Sequence, residues 1–235
     1  MENQGKQGSR IWELDFFRGI ALILMIYFHI IYDLKEFYNL PIPYENGVNF
    51  YIGKFFAILF IFISGISSSL STNNIKRGLK ILGCGLILTI AVGLFNEAIH
   101  IKFGILHFLG ICMLLFPLIV RVNKYVLLAL GTFIIYPGRL ISNIYTSLPF
   151  LFPIGIITDT FTSVDYYPLI PWLGIFLYGT ALGKILYDER KQSLFPFSLA
   201  DHLISKAGRH TLLLYMVHQP AILLILTLLN KLELI

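Results

Sequence analysis

The chain has 235 residues, 57% of them hydrophobic and only 13% charged, with a mean hydropathy of +0.77. Soluble domains carry roughly 25% charged residues, so this chain lacks the charge to cover a water-facing surface. Disorder and a secreted disulfide scaffold are excluded by the same composition. The net charge of +5 sits in short basic clusters between apolar runs, the pattern of membrane topology rather than of a nucleic-acid-binding stripe.

Seven apolar runs are long enough to be read as membrane spans. In chain order they are Trp12–Leu34, Phe50–Leu70, Leu79–Asn96, Phe103–Val120, Val122–Ser142, Pro168–Tyr187 and Thr211–Asn230. The first is too long for a signal-peptide core and carries Arg18 and His29, so no cleavable leader is expected. Between the fifth and sixth runs, Ile144–Tyr167 is apolar but broken by Pro149 and Pro153. It reads as a re-entrant or interfacial segment, tolerated where protein or a water-filled cavity covers its backbone. The hydrophilic stretch Asp188–Arg209 reads as a short connector, with Pro196 and Ser205 as turn and cap signals.

Basic residues cluster at 76–80, 121–124 and 184–209, on alternate loops that the positive-inside rule assigns to the cytoplasm. The expectation is an all-α polytopic helix bundle of about seven spans, with eight as the alternative, and a cytoplasmic N-terminus. It forms a single domain over residues 1–235 in the cell membrane. Cys84 and Cys112 lie in apolar runs and read as small hydrophobes, without a disulfide or thiolate metal site.

The first helix carries more ionisable groups than a span tolerates without reason. At about 100° per residue from Arg18, His29 falls at about 20°, Asp15 and Asp33 at about 60° and Tyr32 at about −40°. These polar groups therefore share one stripe. Arg18 and His29 are separated by about 16 Å along the axis, which sets the arginine near the inner boundary and the histidine in the outer half. Asp33, four residues beyond His29, is expected to hold its imidazole and fix its tautomer. Snorkelling of Arg18 and a helix-dipole preference of Asp15 are the plainer alternatives.

Elsewhere, Ser64, Gly65, Ser67, Ser68 and Ser71 suit close helix packing, as do Gly174, Gly179 and Gly183. His107 and His218 each read as structural or as cavity-lining. Pro220 frees the Met216 carbonyl, and His218 or Gln219 can line the kink. Asp165 either binds a polar acceptor at the outer mouth or caps the sixth helix. The histidine spacings match no local metal-ligand pattern, so no metal is expected.

Arg18 and His29, set in Glu13-Leu-Asp-Phe-Phe-Arg-Gly-Ile-Ala-Leu-Ile-Leu-Met, resemble the opening of the transmembrane acyltransferase superfamily. The segments Leu59-Phe-Ile-Phe-Ile-Ser-Gly-Ile-Ser, Arg77-Gly-Leu-Lys, Phe103-Gly-Ile-Leu-His, Pro168-Leu-Ile-Pro-Trp-Leu-Gly and Gly208-Arg-His…His218-Gln-Pro extend the likeness over nearly the whole chain. It is similar to small prokaryotic membrane proteins with a heparan-α-glucosaminide N-acetyltransferase catalytic-type domain. The resemblance implies transfer of an acyl group, acetyl above all, from cytosolic acyl-CoA to a hydroxyl or amine, as on a sugar or glycan. It implies His29 as the central catalytic residue and Arg18 on the donor side. The heparan enzyme's pattern has an asparagine at the His29 position and a histidine soon after. Lys35–Lys54 holds no histidine, so His29 resembles the broader acyltransferase arrangement.

On this reading His29, oriented by Asp33, is a general base, working by direct transfer or through an acyl-histidine. Arg18, Arg77 and Lys80 attract the phosphates of CoA, while Tyr32, His107, Asp165 and His218 line the acceptor side. The rival classes are a transporter or lipid-binding membrane protein that uses the stripe as a proton relay, and a scaffold whose polar groups only glue helices together.

Overall fold

The computed structural model describes residues 10–95, 100–141, 144–187 and 192–234. They are helical: α1 (Trp12–Glu36), α2 (Gly47–Leu70), α3 (Asn74–Phe95), α4 (Ile105–Ile119), α5 (Lys124–Ile141), α6 (Leu169–Tyr187), α7 (Leu203–Arg209) and α8 (Thr211–Lys231), with one 3₁₀ turn at Pro149–Leu151. Five of these, α1, α2, α3, α6 and α8, are long and apolar enough to cross a membrane, whereas α4 and α5 are apolar but shorter. The seven long helices fall on the seven apolar runs. The span ends expected at Asn96 and Ser142, and the start of the connector at 188–191, lie outside the described residues.

The connector differs from its expected form. It contains α7, and Ser205 is fully buried within that helix instead of capping it. The cap is His202, whose Nδ1 accepts from the Ile204 amide at 3.3 Å. Tertiary packing sustains so short a helix. Gly19 of α1 faces the Ile204 carbonyl and Gly208 faces the Asp15 carbonyl, so a methyl group at either position would enter the neighbouring backbone.

The chain divides into two compact units, Met1–Phe60 with Leu186–Ile235, and Ile61–Ile185. In the first, α7 and α8 pack on α1. Trp12 stacks among Phe16, Phe195 and Phe197. Buried Glu13 accepts from the Leu194 amide at 2.8 Å and the Tyr187 hydroxyl at 3.3 Å.

In the second unit small residues set the helix spacing, as their positions predict. Gly65 faces the Phe176 carbonyl, Gly179 the Phe62 carbonyl and Gly183 the Ser69 hydroxyl, bringing the end of α2 onto α6. Gly131 and Gly174 do the same for α5 and α6, and Gly78 and Gly110 for α3 and α4. Lys184 donates to the Val120 and Val122 carbonyls, both at 2.6 Å, where α4 ends, which suits the negative end of a helix dipole.

Residues 144–167 hold only the 3₁₀ turn, yet their backbone is well partnered. Thr146 bonds Ile157, Val164 bonds His100 and Tyr167 bonds Phe103, each through a backbone amide at 2.8–3.0 Å. The Tyr166 hydroxyl donates to the Phe152 carbonyl at 2.6 Å, and burial pushes its phenol up to about 12. Such internal pairing is what an apolar non-helical segment requires.

Candidate active site

The polar stripe of α1 meets α8 within the first unit. His29 Nδ1 lies 2.8 Å from the Met25 carbonyl one turn earlier. A carbonyl oxygen only accepts, so Nδ1 carries the hydrogen and the neutral ring keeps its lone pair on Nε2. His218 repeats the device on α8, with Nδ1 at 2.6 Å from the Tyr215 carbonyl. The two imidazoles meet edge to face, with ring centroids 4.8 Å apart and planes at 83°. Phe28 and Phe56 close the apolar side around His29.

Asp33 is fully buried, but it does not hold His29. Its two oxygens accept from Gln219 Nε2 at 2.8 and 2.9 Å. The expectation from the four-residue spacing is therefore corrected. The Met25 carbonyl lies within reach of the ring on the helix itself, and Asp33 turns to the donor that α8 presents. Asp33 thus ties α1 to α8 beside the histidine pair. Tyr32 packs against Tyr44 with centroids 5.2 Å apart. Tyr44 donates to Glu36 at 3.0 Å, and burial together with the Glu36 carboxylate holds its phenol above the ordinary value.

At the other end of α1, Asp15 is 1% exposed and gathers three arginines. Arg10 Nε donates to its carboxylate at 2.5 Å and Arg18 NH1 at 2.8 Å, while Arg209 Nε stands 3.9 Å away. Arg209 also donates to the Ala200 carbonyl. Asp15 therefore does more than complement a helix dipole, and Arg18 is held in the first turns of α1, about 16 Å along the axis from His29. Sequence reasoning missed Arg10 and Arg209 in this cluster, and nothing local marks an arginine almost two hundred residues away as a partner.

Arg77, Lys80, His107 and Asp165 belong to the second unit. Arg77 donates to Asn74 Oδ1 at 3.4 Å, and Asn74 in turn bonds the Ser68 and Ser71 carbonyls. Lys80 is exposed. His107 is buried against Gly85. The Thr89 hydroxyl donates to the Ile101 carbonyl at 2.8 Å and lies 3.3 Å from His107 Nε2, so that nitrogen carries the hydrogen and donates to the hydroxyl. Its other ring nitrogen, Nδ1, is buried without a hydrogen-bond partner among the described residues. Asp165 is a cap, though of α4 rather than of α6. Its Oδ2 accepts from the Ile105 amide at 3.0 Å, and Gly104 has no side chain because the carboxylate occupies that space. The strand-like pairing of Phe103 with Tyr166 brings Asp165 to that helix start.

No curated protein and no solved structure matches the chain. A family model described as heparan-alpha-glucosaminide N-acetyltransferase, catalytic, matches residues 10–220, a stretch that holds Arg18, His29, Asp33 and the His218-Gln219 pair. Multi-pass apolar helices and a match over most of its length place the chain in that family of membrane acyltransferases.

Proposed function

We propose that the protein transfers an acetyl group from acetyl-CoA to an amine or hydroxyl of a polar acceptor, a sugar or glycan. His29 Nε2 is the general base. The observation that carries the reading is the bond from His29 Nδ1 to the Met25 carbonyl, which leaves Nε2 as the basic nitrogen in a partly buried position on α1. The acceptor proton moves to Nε2 as its nitrogen or oxygen attacks the thioester carbonyl. The tetrahedral intermediate collapses with cleavage of the carbon–sulfur bond, and the imidazolium returns the proton to the CoA sulfur. The products are acetylated acceptor and free CoA, with His29 neutral again. Direct transfer needs no covalent enzyme intermediate; an acetyl-imidazole on Nε2 is the longer route.

The remaining assignments extend this reading. Arg18, Arg77 and Lys80 attract the CoA phosphates. Asp33 positions α8 through Gln219, and Tyr32 and His218 line the acceptor side. The chain is one domain with seven spans and a cytoplasmic N-terminus, so donor and acceptor arrive from opposite faces. The test is transfer of label from radiolabelled acetyl-CoA by the reconstituted protein, with glucosamine as the amine probe. The expected result is labelled N-acetylglucosamine, reduced at least about 100-fold in His29→Ala. A folded His29→Ala protein with undiminished transfer overturns the assignment. Wild-type protein that never binds acetyl-CoA moves the transporter class ahead.

A further inference from the structure

Three arginines converge on one carboxylate at the start of α1. Arg10 reaches both oxygens of Asp15, at 2.5 and 3.1 Å, and Arg18 NH1 donates at 2.8 Å. Arg209, brought in by α7, stands 3.9 Å away through Nε. One negative charge balances one guanidinium, which leaves two positive charges in surplus. Glu13, two residues before Asp15, is turned instead to the Leu194 amide and the Tyr187 hydroxyl. Arg209 Nε is buried without a hydrogen-bond partner among the described residues, and its NH2 group donates to the Ala200 carbonyl. Each guanidinium carries five N–H groups, so Arg10 and Arg209 keep donors for a second anion. Arginines that merely snorkel reach out toward headgroups, whereas these gather on a carboxylate that is 1% exposed. The Arg10 side chain, 59% exposed, leaves the cluster open to an incoming ligand on one side.

The spacing along α1 suits one anion in particular. Arg18 and His29 lie about 16 Å apart along the helix axis. In acetyl-CoA about fourteen bonds separate the thioester carbonyl from the first phosphorus, and three chain bonds reach at most about 3.6 Å. The pantetheine arm therefore spans about 17 Å at full stretch. A donor with its carbonyl beside His29 Nε2 thus lays its diphosphate among the arginines that Asp15 gathers. Guanidinium forks match phosphate oxygens in pairs, which a single lysine charge does not.

We propose that Arg10, Arg18 and Arg209, aligned by Asp15, form the subsite for the diphosphate of the acetyl-CoA donor. The inference rests on the acetyl-transfer reading above. It adds Arg10 and Arg209 to that reading and names the phosphates they hold. Asp15 is a positioning residue that keeps the guanidiniums together without touching the donor. These contacts are the same before and during transfer, so they set donor affinity and leave the chemical step alone.

The test uses the full chain in phosphatidylcholine nanodiscs, with glucosamine as acceptor and three donors. These are acetyl-CoA, acetyl-dephospho-CoA, which keeps the diphosphate but lacks the 3′-phosphate, and S-acetylpantetheine, which has no phosphate. Arg209→Gln is expected to raise KM for the first two donors about 10- to 100-fold, the effect of losing a charge-assisted contact. Its kcat at saturating donor stays within about twofold. S-acetylpantetheine serves wild type and variant equally. Arg10→Gln follows the same pattern and carries the test if Arg209→Gln fails to fold. Binding of unacetylated CoA, which needs no transfer, weakens by the same factor. Phosphatidylglycerol added to the nanodiscs leaves this arginine dependence in place; its disappearance there means that the cluster holds a lipid headgroup and overturns the proposal. Wild-type KM for acetyl-CoA in both variants, equal losses with S-acetylpantetheine, or an effect that vanishes with acetyl-dephospho-CoA each overturn it while the role of His29 stands. Arginine-dependent CoA binding by a protein that transfers no acetyl group upholds the subsite and overturns the general-base reading.

Discussion

A carboxylate sealed from water needs donors, and Asp33 finds both of its contacts in one amide, Gln219 Nε2. Gln219→Leu leaves the carboxylate buried with no donor, which costs about 2 kcal/mol. Removing both partners leaves nothing unsatisfied, so Asp33→Leu/Gln219→Leu is expected to be more stable than Gln219→Leu alone. Thermal unfolding in detergent checks the ordering, and a double variant less stable than the single one contradicts it. Tyr166 gives a residue-level expectation in pH. Burial keeps the phenol protonated to about pH 12, against about 10 for a free tyrosine. The folded value is the higher one, so the stabilisation is complete below pH 10 and is lost as pH rises from 10 through 12. Hydrogen exchange of residues 144–167 is therefore flat from pH 7 to 9, after correction for intrinsic rates, and in Tyr166→Phe protein it is faster throughout that range.

Among the elements, packing by close backbone approach makes the sharpest demand. Gly179 sits against the Phe62 carbonyl, whereas Gly93 on α3 faces open space. Overpacking costs about 1–3 kcal/mol, and alanine in an open helical site is favoured over glycine by up to about 1 kcal/mol. Gly179→Ala is thus expected to lower the melting temperature and Gly93→Ala to leave or raise it; the reverse order contradicts the account. The long helices were legible because each is a continuous apolar run with polar breaks on either side. The glycines were legible as packing residues, though not their partners. Helix α7 was not legible, since seven residues carry too little periodicity and the helix is sustained by Gly19 and Gly208 against α1. The site was legible as a stripe and misread in its wiring. His29, Asp33 and Arg18 stand out as ionisable groups in an apolar run, but the Asp33–Gln219 and Asp15–Arg209 pairings join opposite ends of the chain. Asp165 shows the same limit, because its helix start lies sixty residues upstream.

For the whole molecule, scarcity of charge is the organising fact. With 13% charged residues, a buried ionisable group stands out against its surroundings, and besides Glu13 those of the first unit gather in two sets. At the start of α1, three arginines converge on Asp15. Toward the end of α1, two imidazoles and an amide–carboxylate bond join that helix to α8. The proposed function divides the labour between them: the cationic end meets an anionic donor and the basic nitrogen meets the acceptor. The measurement that bears most directly on this account is acetyl transfer from labelled acetyl-CoA to glucosamine by the reconstituted wild type and by His29→Ala. The account predicts labelled product from the wild type and a loss of at least about 100-fold in the folded variant; equal transfer by the two proteins would contradict it.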